Sequence, residues 1–122
     1  MTEETKIDGL QFLLEHVQED AKTNPNNMAS QNRLGWILLG LKSFNDAKKT
    51  FESALSRWPD NIELNYASGM TYKALEQKDK ASERFQKVVE GKENSVRESM
   101  FQLITAEQLT LIRTDMRQGK RG

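Results

Sequence analysis

Residues 25–59 read PNNMASQNRLGWILLGLKSFNDAKKTFESALSRWP, and residues 59–93 read PDNIELNYASGMTYKALEQKDKASERFQKVVEGKE. Laid over one another at an offset of 34, the two stretches agree at chemically demanding positions. Pro25 falls on Pro59, Gly35 on Gly69, Ala47 on Ala81 and Phe51 on Phe85. Asn45 and Asp79 match in kind, as do Leu55 and Val89. Agreement of this sort at a single spacing marks an internal repeat.

The spacing of apolar residues predicts what each unit is. Leu34, Ile37, Leu38 and Leu41 follow one helical face, and Phe44, Ala47, Phe51, Ala54 and Leu55 follow another. Residues 28–41 and 44–57 therefore read as two helices joined by a two-residue turn, repeated at 62–75 and 78–90. Proline cannot continue a helix, so Pro25 and Pro59 mark the connections. Asn26 or Asn27, and Asp60 or Asn61, can cap the helices that follow, while Asn45 and Asp79 can cap the second helix of each unit. Gly91 suits a helix end, and Asn94 or Ser95 can open a final helix. Gly35 and Gly69 lie in mid-helix, where glycine costs up to about 1 kcal/mol against alanine. Their recurrence predicts close approach of a neighbouring helix, with Ala47 and Ala81 as the complementary small surface and Phe51 and Phe85 filling the space.

The pattern resembles the tetratricopeptide repeat, on Leu34-Gly35, Leu38, Ala47, Phe51, Ala54 and Pro59 in one unit and Ser68-Gly69, Tyr72, Ala81, Phe85 and Val88 in the next. Two positions depart from it: the early tryptophan is Gln31 and Asn65 here, and the closing proline of the second unit is Glu93. The resemblance implies an all-α fold, a short right-handed α-solenoid of antiparallel helix pairs with about six helices. A single domain is expected over residues 1–117, made of an N-terminal packing helix in 5–24, repeats at 25–59 and 60–93, and a partial repeat or capping helix at 94–117. Residues 118–122 are expected to form a flexible tail.

Both ends carry helical patterns of their own. Ile7, Leu10, Leu13, Leu14, Val17 and Ala21 form a stripe, and most of them fall where the second helix of a preceding unit would place its apolar face. Val96, Met100, Leu103, Ile104, Leu111, Ile112 and Met116 form another, and Val96 lies 34 residues after Ile62.

Composition narrows the function. The 122 residues hold 18 basic and 18 acidic side chains, so a global electrostatic pull towards nucleic acid is missing. Charge is uneven along the chain: residues 1–24 carry a net −4 and residues 92–122 a net +2. Leu, Ile, Val and Phe number only 27, a thin core that a repeat architecture tolerates because it packs neighbour against neighbour. No apolar run reaches the roughly 18 residues of a membrane span. The absence of cysteine excludes disulfides and thiolate chemistry. With an acidic, leaderless start, the cytoplasm is the expected location.

No catalytic or cofactor-binding residue is expected, and no metal site. His16 is the only histidine, and Glu15 and Glu19 beside it read as solvated helix charges. No phosphate loop, zinc-protease helix or catalytic triad order occurs. The expected function is non-catalytic protein–protein interaction. The resemblance implies an inner groove lined by first-helix side chains: Asn32, Trp36 and Leu39 (with Ala29 and Gly40) in one unit, Glu63, Tyr66, Met70 and Lys73 (with Ala74) in the next. Arg97, Met100, Ile104 and Glu107 hold the same positions in the partial unit. Family members that clamp a carboxylate use a Lys and an Asn where Asn32 and Trp36 stand here, so an apolar or amphipathic peptide is the implied partner. The alternative is a structural protein whose long C-terminal helix covers the groove, pairs with a second copy as a homodimer, or takes part in stacking of acidic head on basic tail.

The close approach at Gly35 is directly testable. Gly35→Leu should overpack the helix pair and lower unfolding free energy by about 1–3 kcal/mol, measured by urea denaturation.

Overall fold

The computed structural model describes residues 3–92 and 94–119, with residues 3–7 and 119 described by backbone alone. Six helices run in order: α1 (Glu3–Thr23), α2 (Met28–Gly40), α3 (Phe44–Arg57), α4 (Ile62–Ala74), α5 (Lys78–Glu90) and α6 (Val96–Gly119). No strand occurs among the described residues. The helices fall into two compact units, α1–α3 and α4–α6, divided between Trp58 and Pro59.

In the first unit α2 packs on both α1 and α3. Its centre is the contact anticipated at Gly35. A Cβ placed there would stand 2.4 Å from Cε1 of Phe51, which is fully buried. The second unit repeats this geometry: a Cβ on Gly69 would stand 2.4 Å from Cε1 of Phe85. Even alanine therefore forces the ring aside at either place. Ala47 and Ala81 are wholly buried beside their phenylalanines, as their small size suggests.

Gln31 and Asn65, which stand where the repeat pattern has its early tryptophan, share a physical role. At the position usual for tryptophan, the Gln31 amide donates to the carbonyls of Ala21 at 3.1 Å and Pro25 at 3.5 Å. The Asn65 amide donates to Pro59 and Asn61, both at 2.9 Å. An amide side chain thus ties carbonyls at or beside the connection ahead of each unit to the helix that follows. Arg57 adds a bond to Asn26 Oδ1 at 2.9 Å and another to the Pro25 carbonyl.

Asn27 and Asn61 cap α2 and α4, accepting from the Ser30 and Leu64 amides at 3.0 and 2.9 Å. Asp20 accepts from Asn24 at 3.0 Å and Arg33 at 3.1 Å. A hydrogen bond from Ser30, more than either of these, holds its carboxyl below the usual range. Asn45 and Asp79 do not cap. They lie inside α3 and α5, whose cap positions are Ser43 and Gln77. The turn ahead of those helices is one residue longer than the apolar pattern implied, because α2 and α4 close at Gly40 and Ala74.

That closure explains the turn. Lys42 and Glu76, again 34 apart, adopt φ of 62° and 61°. The Ser43 amide reaches back to Leu38 O at 2.9 Å and Lys42 to Leu39 O at 3.0 Å. Gln77 to Tyr72 and Glu76 to Lys73 repeat the pair. This is the left-handed helix stop that glycine normally serves, held here by residues with a Cβ. The left-handed conformation costs such a residue about 1–2 kcal/mol, against about 0.5–1 kcal/mol of extra entropy lost by glycine. Lys42→Gly and Glu76→Gly should therefore each raise stability by up to about 1 kcal/mol, seen as a higher urea midpoint with unchanged slope.

Candidate functional site

The anticipated groove residues are described within their own units. In the first, Asn32, Trp36 and Leu39 are half-buried along α2, while Ala29 and Gly40 are exposed. The Trp36 indole meets Phe51 edge-on, with centroids 6.4 Å apart and planes at 79°. The ring is thereby anchored by the same phenylalanine that fills the space beside Gly35.

In the second unit the structure brings Glu63, Tyr66, Met70, Lys73 and Arg97 together, because α6 packs against both α4 and α5. Arg97 Nε donates to Glu63 Oε1 at 3.0 Å, and its guanidinium lies 5.2 Å from the centre of the Phe101 ring. The Glu63 bond raises the Arg97 pKa further and keeps the group charged. Tyr66 packs against Phe101 at 4.8 Å and Phe85 at 6.2 Å between centroids. Burial pushes its phenol upward in pKa. Met70 packs on the cluster of Tyr72, Ala81, Phe85, Leu109 and Ile112, and the Lys73 ammonium donates to Gln108.

Two of these contacts come from residues that sequence reasoning passed over, Phe101 and Gln108. The signal was present in α6. Phe101, Thr105, Leu109, Ile112 and Met116 recur at helical spacing and form the face turned to α4 and α5, with Thr105, Leu109 and Ile112 buried. Thr105 conceals that face because its hydroxyl is satisfied locally, donating to the Phe101 carbonyl at 2.5 Å. The stripe read from the sequence mixed two faces. Val96, Met100, Leu103, Ile104 and Leu111 are exposed, and only Ile112 and Met116 belong to the packed side. The end of α6 is stapled by ion and amide contacts: Lys78 pairs with Asp115, and Arg113 donates to Gln86 at 2.8 Å. Its start is capped by Ser95, which accepts from the Glu98 amide at 3.1 Å while Glu98 accepts from Asn94 at 2.6 Å. Gln118 and Gly119 continue α6, and the rest of the expected tail lies outside the described residues.

Among the described residues no group of three or more His, Cys, Asp and Glu side chains could hold a metal ion. His16 is exposed and lies against the Phe12 ring at 5.5 Å. No helix among the described residues is long and apolar enough to cross a membrane.

With this geometry in hand, comparison with known proteins is informative about the fold. The tetratricopeptide repeat profile matches residues 29–61 and again 62–94. No curated protein matches the sequence. Among solved structures, MamA from Desulfovibrio magneticus RS-1, residues 41 to the end, superposes with a TM-score of 0.65 at 21% identity. The match covers 93% of this chain and 70% of that one. The ArsTM double mutant of RS-1 MamA gives 0.65 at 20% identity, covering 97% and 72%. At such identity the likeness speaks for the all-α helical-repeat fold alone.

The Tyr66 environment sets a pH dependence. Its folded pKa is raised, so its effect is absent below the unfolded value near 10 and stability is lost as pH rises beyond it. Unfolding free energy should therefore decline across alkaline pH, and Tyr66→Phe should flatten that decline in urea titrations at successive pH values.

Proposed function

The chain belongs to the tetratricopeptide repeat family, and on that premise we propose that it is a non-catalytic adaptor or scaffold for an apolar or amphipathic peptide segment. The repeats and their fold support a protein–protein interaction scaffold. The finer reading rests on the first-helix faces. In the first unit the face consists of Asn32, Trp36 and Leu39. In the second it consists of Tyr66 and Met70, with Glu63, Lys73 and Arg97 as its polar border.

The observation that carries this reading is on α6. Met100 and Ile104 stand 34 residues after Tyr66 and Met70, and they are 56% and 43% exposed. The repeat thus continues its inner-face register into α6 with two large apolar side chains left in water. Thioether and aromatic surfaces of this kind suit a peptide held by side-chain burial. The basic groups nearby already have partners, Arg97 with Glu63 and Lys73 with Gln108. An acidic peptide tail would have to displace those partners, whereas an amphipathic segment lays its apolar residues on the strip and its polar ones along the border. The reading calls for no cofactor, metal ion or nucleic acid, and for action in the cytoplasm.

The test is selection of binders from a random peptide library, followed by affinity measurement on variants. Selected peptides should carry apolar residues at helical or alternate spacing. Ile104→Lys and Met100→Lys, at exposed positions, should each weaken them at least about tenfold with unfolding midpoints unchanged. Trp36→Ala should also weaken binding if the segment uses the first unit's face. Binders that tolerate all three substitutions would remove the first-helix faces from the assignment.

A further inference from the structure

The two terminal helices are complementary halves of a repeat. α1 and α6 have 21 and 24 residues, whereas the four repeat helices have 13 or 14. At the offset of 34, α1 takes the register of a second helix, with Leu13 on Ala47 and Val17 on Phe51. α6 takes the register of a first helix, with Leu103 on Gly69 and Ala106 on Tyr72. Among the described residues the corresponding faces are uncovered: Leu103 is 74% exposed and Leu13 47%, where Ala47 and Ala81 are wholly buried.

We infer that α6 of one copy takes α1 of a second copy as its second helix, so that copies of this chain join head to tail. Three observations converge on that occupant. The first is size. Within the second unit the glycine at Gly69 faces Phe85, and Tyr72 shares a cluster with Ala81. The same antiparallel register sets Leu103 opposite Val17 and Ala106 opposite Leu13. Large and small are exchanged between the partners at both levels. A helix bearing a phenylalanine at that level would collide with Leu103, whereas α1 carries the smaller valine there.

The second is length. Continuing the register keeps all of α1 alongside residues 97–117 of α6. The turns by which each exceeds a repeat helix therefore lie beside one another. The third is charge. In this register Arg117 comes level with Glu3 and Glu4, and Arg113 with Asp8, in keeping with the net −4 of residues 1–24 and +2 of residues 92–122. The contact is heterologous, since each copy contributes a different face, and it propagates to longer assemblies unless it closes into a ring. The contact centres on Leu103, and the register that sets Tyr66 6.2 Å from Phe85 brings Met100 to the border of Val17 of the second copy, so docking also covers part of the Met100 surface.

The experiment is sedimentation velocity on the full chain from micromolar to millimolar concentration. The wild type should associate beyond dimer as concentration rises. Leu103→Glu and Leu13→Glu should each sediment as monomers at every concentration. An equimolar mixture of the two should recover a dimer and stop there, because one variant keeps an intact α1 and the other an intact α6. Circular dichroism checks that helicity is retained. Should either variant lose it, Thr110→Glu and Gly9→Glu replace them, both being exposed and in register, with open space around Gly9. A wild type that stays monomeric would overturn the inference. So would association that survives the α1 substitution, as pairing of α6 with α6 would, or a mixture of variants that remains monomeric.

Discussion

The contact between a glycine on one helix and a phenylalanine on the next governs the rest of this structure. A repeat helix of 13 or 14 residues is too short to be stable alone in water, so it must bury one face against a partner. The glycine removes the Cβ that would keep the helices apart, and the aromatic ring fills the space so created. Around that contact the interior combines alanine and glycine with a limited set of aliphatic side chains, Leu38 and Leu55 in one unit and Ile62, Leu64, Val88, Leu109 and Ile112 in the other. Its cost is rigidity of design. Neither position tolerates a larger side chain, since the ring stands within 2.4 Å of where a Cβ would be.

Polar groups are handled with the same economy. An amide side chain at the same repeat position, Gln31 in one unit and Asn65 in the other, donates to carbonyls at the connection ahead of each repeat. The turn within each repeat is held by a backbone stop in the left-handed region, with a lysine in one unit and a glutamate in the other. Neither residue type favours that conformation. It persists because the hydrogen bonds to the end of the preceding helix and the seating of the phenylalanine leave the turn no alternative path.

The long last helix shows how far a helical stripe can be read. Its apolar residues were visible in the sequence, but they belong to two faces, and hydrophobic count alone cannot rank them. The face that packs includes a threonine and a half-buried phenylalanine, and the more obviously apolar residues are left in water. The difference comes from α4 and α5, which offer a cluster of rings on one side and nothing on the other. Phe101 and Gln108 were legible only as members of that packed face, so their role beside Tyr66 and Lys73 could not be assigned from spacing.

The period of 34, with proline, glycine, alanine and phenylalanine in step, was enough to establish the four repeat helices, their order and the residues at the centre of each pair, and the apolar stripes at the two ends supplied the outer helices. Those are local and near-neighbour properties, set by backbone chemistry and by side chains one helix apart. The groove residues could be named by register but not described, because burial and pairing depend on what a neighbouring helix brings. Only the tertiary structure decided that Glu63 binds Arg97, that Tyr66 packs between two rings, and that Leu103 and Met100 face solvent. The physical reason is that a helix of mixed composition has several faces of similar hydrophobicity, and the shape of its neighbour selects among them.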